Sequence, residues 1–95
     1  MAKGCLVGNW MEKAGRGGEP LRLGVITPKS IGPAVERSRA RRLLRESFRL
    51  NQRKLKTPLT LVLIARRSIA GMNLQDVERD YLNLMRQANL LAGEK

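Results

Sequence analysis

Apolar and polar residues alternate along the chain in a way that predicts three strands and two helices. Apolar-rich stretches at residues 5–10 and 21–27 favour two strands. The run Leu59–Ala65, the most hydrophobic in the chain, predicts a third strand that is buried on both faces. Apolar residues recur at helical spacing from about residue 34 to residue 51, and again from residue 74 to residue 91. This order of elements indicates an α+β domain with helices packed on a small mixed sheet.

Glycine, proline and capping residues predict where these elements begin and end. Residues 15–20, with three glycines and one proline, predict a hairpin loop between the first two strands. Pro28 ends the second strand because it lacks the N–H that a ladder hydrogen bond needs. Pro33 suits the first turn of the helix that follows. Asn73, with Asp76 three residues later, predicts a capping box at the start of the last helix.

Apolar residues on one side of the last helix indicate that this helix is a packing element. They are Leu74, Val77, Tyr81, Leu84, Met85, Ala88 and Leu91. Tyr81 lies in the middle of the stripe, so we expect it in the core rather than stacked on a nucleobase. Trp10 has two interpretations: it covers the small core, which we favour, or it is exposed on the first strand as a stacking platform.

The first helix carries six arginines from Arg37 to Arg49, on the side opposite its apolar residues. Guanidinium groups stay charged and offer planar pairs of donors that match phosphate oxygens. Only two acids, Glu36 and Glu46, are interleaved with them, so a merely solvated helix face is the less favoured interpretation. The pattern predicts a helix that packs on the core and presents charge to RNA or DNA.

The composition of the whole chain also favours a polyanionic partner. Its 95 residues include 19 Lys and Arg against 8 Asp and Glu, a formal net charge of +11. The length and the hydrophobic content of 42% suit one domain with one modest core. A single cysteine, Cys5, and the absence of histidine argue against disulfide and zinc scaffolds and favour a reducing, cytoplasmic setting. No apolar run approaches the roughly 20 residues of a transmembrane helix, so we expect no membrane partner.

The side chains available for catalysis argue against chemistry carried by this chain. The sequence has no histidine to act as a general base, and Cys5 therefore has no histidine to activate it. The acids are explained as ion-pair partners of arginine in the first helix and as favourable charges in the first turn of the last helix. We predict no catalytic residue and no metal site.

Two segments carry a more specific pattern. The first consists of Leu21-Arg22-Leu23-Gly24-Val25 with Lys29 and Gly32, and the second runs from Ala34 to Arg49. Together they closely resemble the signature region of the bacterial ribonuclease P protein component. The strand that ends at Ile64-Ala65-Arg66 and the last helix are also similar to that family, so the resemblance covers roughly residues 21 to 92.

The resemblance implies a four-stranded mixed sheet, of which the apolar pattern of this chain shows only three strands. It also implies a left-handed crossover through the arginine-rich helix, a handedness that periodicity cannot reveal. Residues 1–95 would then form a single RNA-binding domain. Family members begin with a helix that forms one wall of a cleft for the precursor leader, and nothing here matches it. We expect that an upstream segment has been omitted, the alternative being a version that lacks this wall.

The function that the resemblance implies is that of the ribonuclease P protein subunit. It assists a catalytic RNA that removes the 5′ leader from precursor tRNA, so the chain would belong to an endoribonuclease without carrying its catalytic groups. The expected partners are the catalytic RNA, bound one to one, and the precursor tRNA. No cofactor is expected on the protein, because magnesium is used by the RNA.

Carried over by position, the basic residues of the signature become the expected RNA-binding residues. They are Lys29, Arg37, Arg39, Arg41, Arg42 and Arg45, together with Arg66 at the end of the third strand. For Arg66, and for Arg67 beside it, phosphate binding and a solvated strand end are equally favoured. Ser38 departs from the family, which usually has asparagine there, so a serine hydroxyl would replace the amide only in part.

Two other classes of function stay open. A small non-catalytic RNA-binding protein, such as one associated with the ribosome, would share the charge but leave tRNA processing unchanged. A basic amphipathic helix that binds an anionic membrane or a protein groove is less favoured, because the apolar side of the arginine-rich helix is needed for the core.

Overall fold

The chain folds into a four-stranded sheet with two helices packed on one of its faces. The structure, a computed structural model, describes residues 1–12, 22–55 and 59–91. In chain order the elements are β1 (Ala2–Lys3), β2 (Leu6–Glu12), β3 (Arg22–Ile26), α1 (Ala34–Asn51), β4 (Leu59–Ala65) and α2 (Leu74–Gln87). Short 3-10 turns follow β3 at Lys29–Ile31, α1 at Gln52–Lys54 and β4 at Arg67–Ile69. The α+β class is confirmed.

The strands lie in the order β1, β2, β4, β3. β4 pairs antiparallel with β2 and parallel with β3, so it separates these two strands. The prediction of a hairpin between them is therefore wrong, and its loop at residues 15–20 lies outside the described residues. The physical reason is that α1 returns the chain for parallel pairing with β3, a long-range choice that turn residues do not encode. The handedness of this crossover stays a prediction.

β1 supplies the fourth strand that the apolar pattern did not reveal. It has only two residues and pairs antiparallel with β2, with Lys3 opposite Leu6. The turn between them contains Gly4, whose φ is +58°. A Cβ on Gly4 would lie 2.1 Å from the Asp80 Oδ2 atom, so both the backbone conformation and the space require glycine. The four-stranded sheet implied by the family resemblance is confirmed.

Only one face of the sheet is covered by the helices. In β4, Leu59, Leu61, Leu63 and Ala65 are buried, whereas the three residues between them are only half-buried. The prediction of a strand buried on both faces is therefore wrong. β4 occupies the centre of the sheet, and its alternate side chains point to the face that carries no helix among the described residues.

α1 packs its apolar side on the sheet and on α2, as predicted. Ala40, Leu44 and Phe48 are buried in the core, and the helix also buries two polar residues, Ser47 and Asn51. The Asn51 Nδ2 atom donates hydrogen bonds of 2.8 Å to the Ser47 carbonyl and of 2.8 Å to the Glu78 Oε2 atom on α2. These bonds satisfy a buried amide and fix the end of α1 against the second helix.

α2 is confirmed as a packing element that begins at the predicted capping box. The Asp76 backbone N–H donates a 2.8 Å hydrogen bond to Asn73 Oδ1, and the Asn73 N–H donates in return to the Asp76 carboxylate. Tyr81 and Leu84 are fully buried. Burial raises the pKa of the Tyr81 hydroxyl. A Cβ on Gly8 of β2 would lie 2.9 Å from Leu84, so glycine allows α2 to approach the sheet closely.

Asp80 of α2 anchors the N-terminal segment. Its Oδ2 atom accepts a 3.0 Å hydrogen bond from the Cys5 backbone N–H, and Cys5 itself is fully buried. Burial, with the nearby Asp80 carboxylate, raises the pKa of the Cys5 thiol to about 12. A thiol held in its neutral form is a poor nucleophile, in agreement with the structural interpretation of this cysteine.

Candidate nucleic-acid interface

The ends of the two parallel strands bring one set of basic residues together. β3 and β4 end side by side, and the 3-10 turns that follow them pack against each other. Lys29 in the first turn and Arg66 and Arg67 at the second are all exposed. The Arg66 Nη1 atom donates a 3.3 Å hydrogen bond to the Gly4 carbonyl, which leaves its other donors available. We call Lys29, Arg66 and Arg67 the strand-end surface.

The outer side of α1 presents the second set of basic residues. Arg42 and Arg45 are exposed, and within the described part of the chain no carboxylate lies within ion-pair distance of either. We call Arg39, Arg42 and Arg45 the helix surface. Arg49, one turn further on, donates a 3.1 Å hydrogen bond from Nε to Glu46, and this bond lowers the pKa of that carboxylate. Glu46 therefore neutralises charge at the end of the helix and not at its centre.

Two arginines of α1 are fixed by contacts on opposite sides of the helix. The Arg39 guanidinium donates to the Met72 carbonyl, in the connection between β4 and α2. The Arg41 Nη2 atom donates a 2.9 Å hydrogen bond to Thr27 Oγ1, just after β3. Each guanidinium keeps further N–H donors, and a side chain held in place loses less rotational freedom when it binds a ligand. Sequence alone could not show these contacts, because the acceptors are a backbone carbonyl and a hydroxyl.

Arg37 lies at the border between the outer and the buried side of α1. Its side chain is half-buried, and its buried Nε atom has no hydrogen-bond partner among the described residues. The sequence prediction placed it with the outward arginines. Arg37 lies one turn before Arg41 and three positions before buried Ala40, so the helical position directs much of its stem toward the core.

The face of the sheet opposite the helices carries a shallow cavity of about 270 Å³. Asn9 and Met11 of β2 and Thr60 and Val62 of β4 line it, and Met11 is 69% exposed. Trp10 reaches its edge, although the indole is half-buried and packs against the core. The interpretation of Trp10 as a residue that covers the core is therefore favoured over that of an exposed stacking platform. This cavity lies on a different surface from the α1 arginines.

Two further features bear on the class of site. Across the described ranges, no group of three or more histidine, cysteine or acidic residues could hold a metal ion. None of the helices that the structure describes is both long and apolar enough to cross a membrane. Basic residues, with backbone and hydroxyl acceptors that orient them, make up the candidate site.

The fold and these surfaces define a small, strongly basic α+β protein whose arginine-rich helix is exposed along its outer side. The family model for Ribonuclease P matches residues 5–89. The ribonuclease P protein component of Alkaliphilus metalliredigens is 38% identical over 71 residues, which cover 75% of this chain and 64% of that protein. The corresponding protein of Clostridium acetobutylicum is 40% identical over 70 residues, 74% of this chain and 59% of the relative. The chain belongs to the ribonuclease P protein family.

Solved structures show the same fold. The RNase P protein of Staphylococcus aureus superposes with a TM-score of 0.81 at 21% identity, covering 96% of this chain and 81% of that one. The Thermotoga maritima protein gives a TM-score of 0.77 at 23% identity, covering 92% and 80% of the two chains. Among the curated relatives, the chain spans only 59% to 64% of the length of the first three matched.

Proposed function

We propose that this chain acts as the protein subunit of ribonuclease P and binds the catalytic RNA through the helix surface and the strand-end surface. The observation that carries the proposal is the pair Arg42 and Arg45, exposed on α1 without an acidic partner among the described residues, in a chain of this family. Guanidinium groups in such a position attract phosphate and pair with it through two parallel hydrogen bonds.

In this proposal one RNA backbone contacts both surfaces. Arg39 connects them, because its hydrogen bond to the Met72 carbonyl ties α1 to the segment that follows Arg66 and Arg67. Lys29 extends the basic region from the neighbouring turn. Arg39 and Arg66 are already held by hydrogen bonds to backbone carbonyls, which reduces the entropy that these two side chains lose when they bind phosphate.

The chain contributes charge and position to the reaction. Its arginines lower the repulsion between phosphates of the catalytic RNA and of the precursor tRNA, so fewer magnesium ions are needed to assemble the complex. Hydrolysis is carried by the RNA with its magnesium ions. We further propose that the 5′ leader of the precursor crosses the open sheet face beside Asn9 and Met11, and that one protein binds one RNA in the cytoplasm.

The test is cleavage of a precursor tRNA by a bacterial ribonuclease P RNA at low magnesium. The wild-type chain should restore cleavage, and the double variant Arg42→Ala with Arg45→Ala should lose most of this effect. The control is Arg53→Ala with Lys54→Ala, which removes the same charge from an exposed turn outside both surfaces. We expect this control to cleave like the wild type.

Two results would overturn the proposal in different ways. Tight binding of the RNA without restored cleavage would favour the alternative, a general RNA-binding protein. Equal losses in the double variant and in its control would show that net charge acts without any particular surface.

A further inference from the structure

A groove of about 510 Å³ runs along the exposed side of the N-terminal half of α1. It is lined by Ala34, Val35, Ser38, Arg39, Arg42 and Leu43. These positions recur every four residues, so they form one face of the helix over more than two turns. The groove exists because the short side chains of Ala34 and Ser38 lie between longer ones. Its volume falls within the range of small-molecule sites.

The lining of the groove combines two chemical characters. Val35 is 77% exposed, an uncovered aliphatic side chain on the face of the helix that also carries Arg39 and Arg42. Leu43, which also lines the groove, packs partly against the core. Arg39 and Arg42 contribute positive charge to the lining, and Arg39 is fixed by its bond to the Met72 carbonyl. The groove therefore offers both apolar surface and positive charge.

A nucleotide has both of these characters, a flat base with an apolar face and a charged phosphate. We infer that the α1 groove receives one unpaired nucleobase of the bound RNA, with the adjoining phosphate on Arg42. The Ser38 hydroxyl has no hydrogen-bond partner among the described residues, and a hydroxyl can donate to or accept from a base edge. The inference rests on the proposed function for the identity of the partner, and it adds a base contact to a surface otherwise explained by phosphates.

Two substitutions test the groove without removing charge. Val35→Thr keeps the shape of the side chain and makes it polar, and Ser38→Gln fills the groove. Each should weaken binding of in vitro transcribed bacterial ribonuclease P RNA by about fivefold to tenfold, which is near the lower end of the range for stacking on aromatic side chains, because this groove is aliphatic. The slope of log affinity against log salt should stay unchanged, because no phosphate contact is lost.

Three matched variants accompany them. Arg42→Ala should weaken binding and reduce the salt slope by about one contact. Leu50 is another aliphatic residue of α1 that is 48% exposed, and it lies outside the groove. The variant Leu50→Thr, which makes this position polar, should therefore bind the RNA like the wild type. Ser38→Ala keeps the groove open, so its loss should be smaller than that of Ser38→Gln. Thermal melting of each protein tests whether a difference in folding explains any difference in RNA affinity.

Chemical probing of the RNA locates the base. We expect one unpaired nucleotide to be protected by the wild-type chain and by Leu50→Thr, but not by Val35→Thr or Ser38→Gln. Salt-dependent binding that is reduced by Arg42→Ala and unaffected by both groove variants would refute the groove and leave the proposed function standing. Failure of the wild-type chain to bind the RNA would refute both.

Discussion

The two helices pack on one core, but they differ in whether their arginines are paired with acids. In α2, Arg79 lies 3.6 Å from Asp76 and 3.6 Å from Asp80, and both acids also accept backbone hydrogen bonds. In the centre of α1, Arg42 and Arg45 have no such partners within the described residues. Both helices are amphipathic, so amphipathicity shows only that each packs on the sheet. The balance of charge distinguishes the helix that faces a partner.

The comparison also shows where positioning comes from. α2 fixes the N-terminal segment through Asp80 and fixes the end of α1 through Glu78. α1 in turn holds the connection after β4 through Arg39. Most residues therefore contribute either to stability or to RNA binding, and a few contribute to both. The following variants distinguish these two groups of residues.

The largest effect on stability is expected for Leu84→Ala in α2. Leu84 is fully buried against Gly8, so truncation leaves a cavity and should lower the free energy of unfolding by about 3 kcal/mol. Urea denaturation followed by circular dichroism measures this. Leu50→Ala, at a position that is 48% exposed, should cost less than about 1 kcal/mol. The RNA affinity of the folded Leu84 variant should stay that of the wild type, and a clear loss would contradict the separation of the helices.

The double variant Arg42→Ala with Arg45→Ala should produce the converse result. Its unfolding free energy should lie within about 0.5 kcal/mol of the wild type, because neither side chain is buried. The slope of log affinity against log salt should become shallower by roughly 2, at about 0.9 for each phosphate contact. Filter binding at four salt concentrations gives the slope. An unchanged slope would show that Arg42 and Arg45 of α1 do not contact phosphates of the RNA.

Much of this difference between the helices could be predicted from the sequence, because it depends on local spacing. The capping box at Asn73 and the stripe from Val77 to Met85 follow helical periodicity, and both are confirmed. The predicted stripe is wrong at its end, because α2 stops at Gln87 and Leu91 lies beyond it. Strand pairing was not predictable in the same way. Nothing in residues 5–27 indicates that β4 inserts between β2 and β3, since this neighbour relation is decided by packing across the whole domain.

The candidate site also combines features that local spacing predicts with features that depend on the folded chain. The sequence placed six arginines on one helix, and the exposure of Arg42 and Arg45 agrees with that prediction. The sequence could not predict the hydrogen bond from Arg39 to the Met72 carbonyl, nor that Arg37 is half-buried. Both facts depend on segments that α1 contacts only in the folded chain. The groove beside Val35 has a weak local signal in the short residues Ala34 and Ser38.

Arg39→Ala should combine the two kinds of effect. Loss of its hydrogen bond to the Met72 carbonyl should lower the unfolding free energy by about 1 kcal/mol, whereas Arg42→Ala should leave it nearly unchanged. RNA affinity should fall in both variants. Parallel denaturation and binding titrations of the two proteins check this, and equal stability of the two would show that Arg39 does not hold the connection after β4.

The smallest effect on stability is expected from the ionisation of the Cys5 thiol. Cys5 is fully buried, and its backbone N–H is bonded to Asp80 of α2. In the folded chain its pKa is raised to about 12 from an ordinary value of 9.0. The folded state therefore holds this proton more tightly than the unfolded state, so the contribution to stability is complete below pH 9 and is lost as the pH rises toward 12. Tyr81, whose pKa is also raised by burial, adds to the same fall. Cys5→Ala should make the decline in unfolding free energy between pH 8 and pH 10 shallower, as measured by urea denaturation at each pH. A decline as steep as that of the wild type would mean that burial does not raise the pKa of the Cys5 thiol.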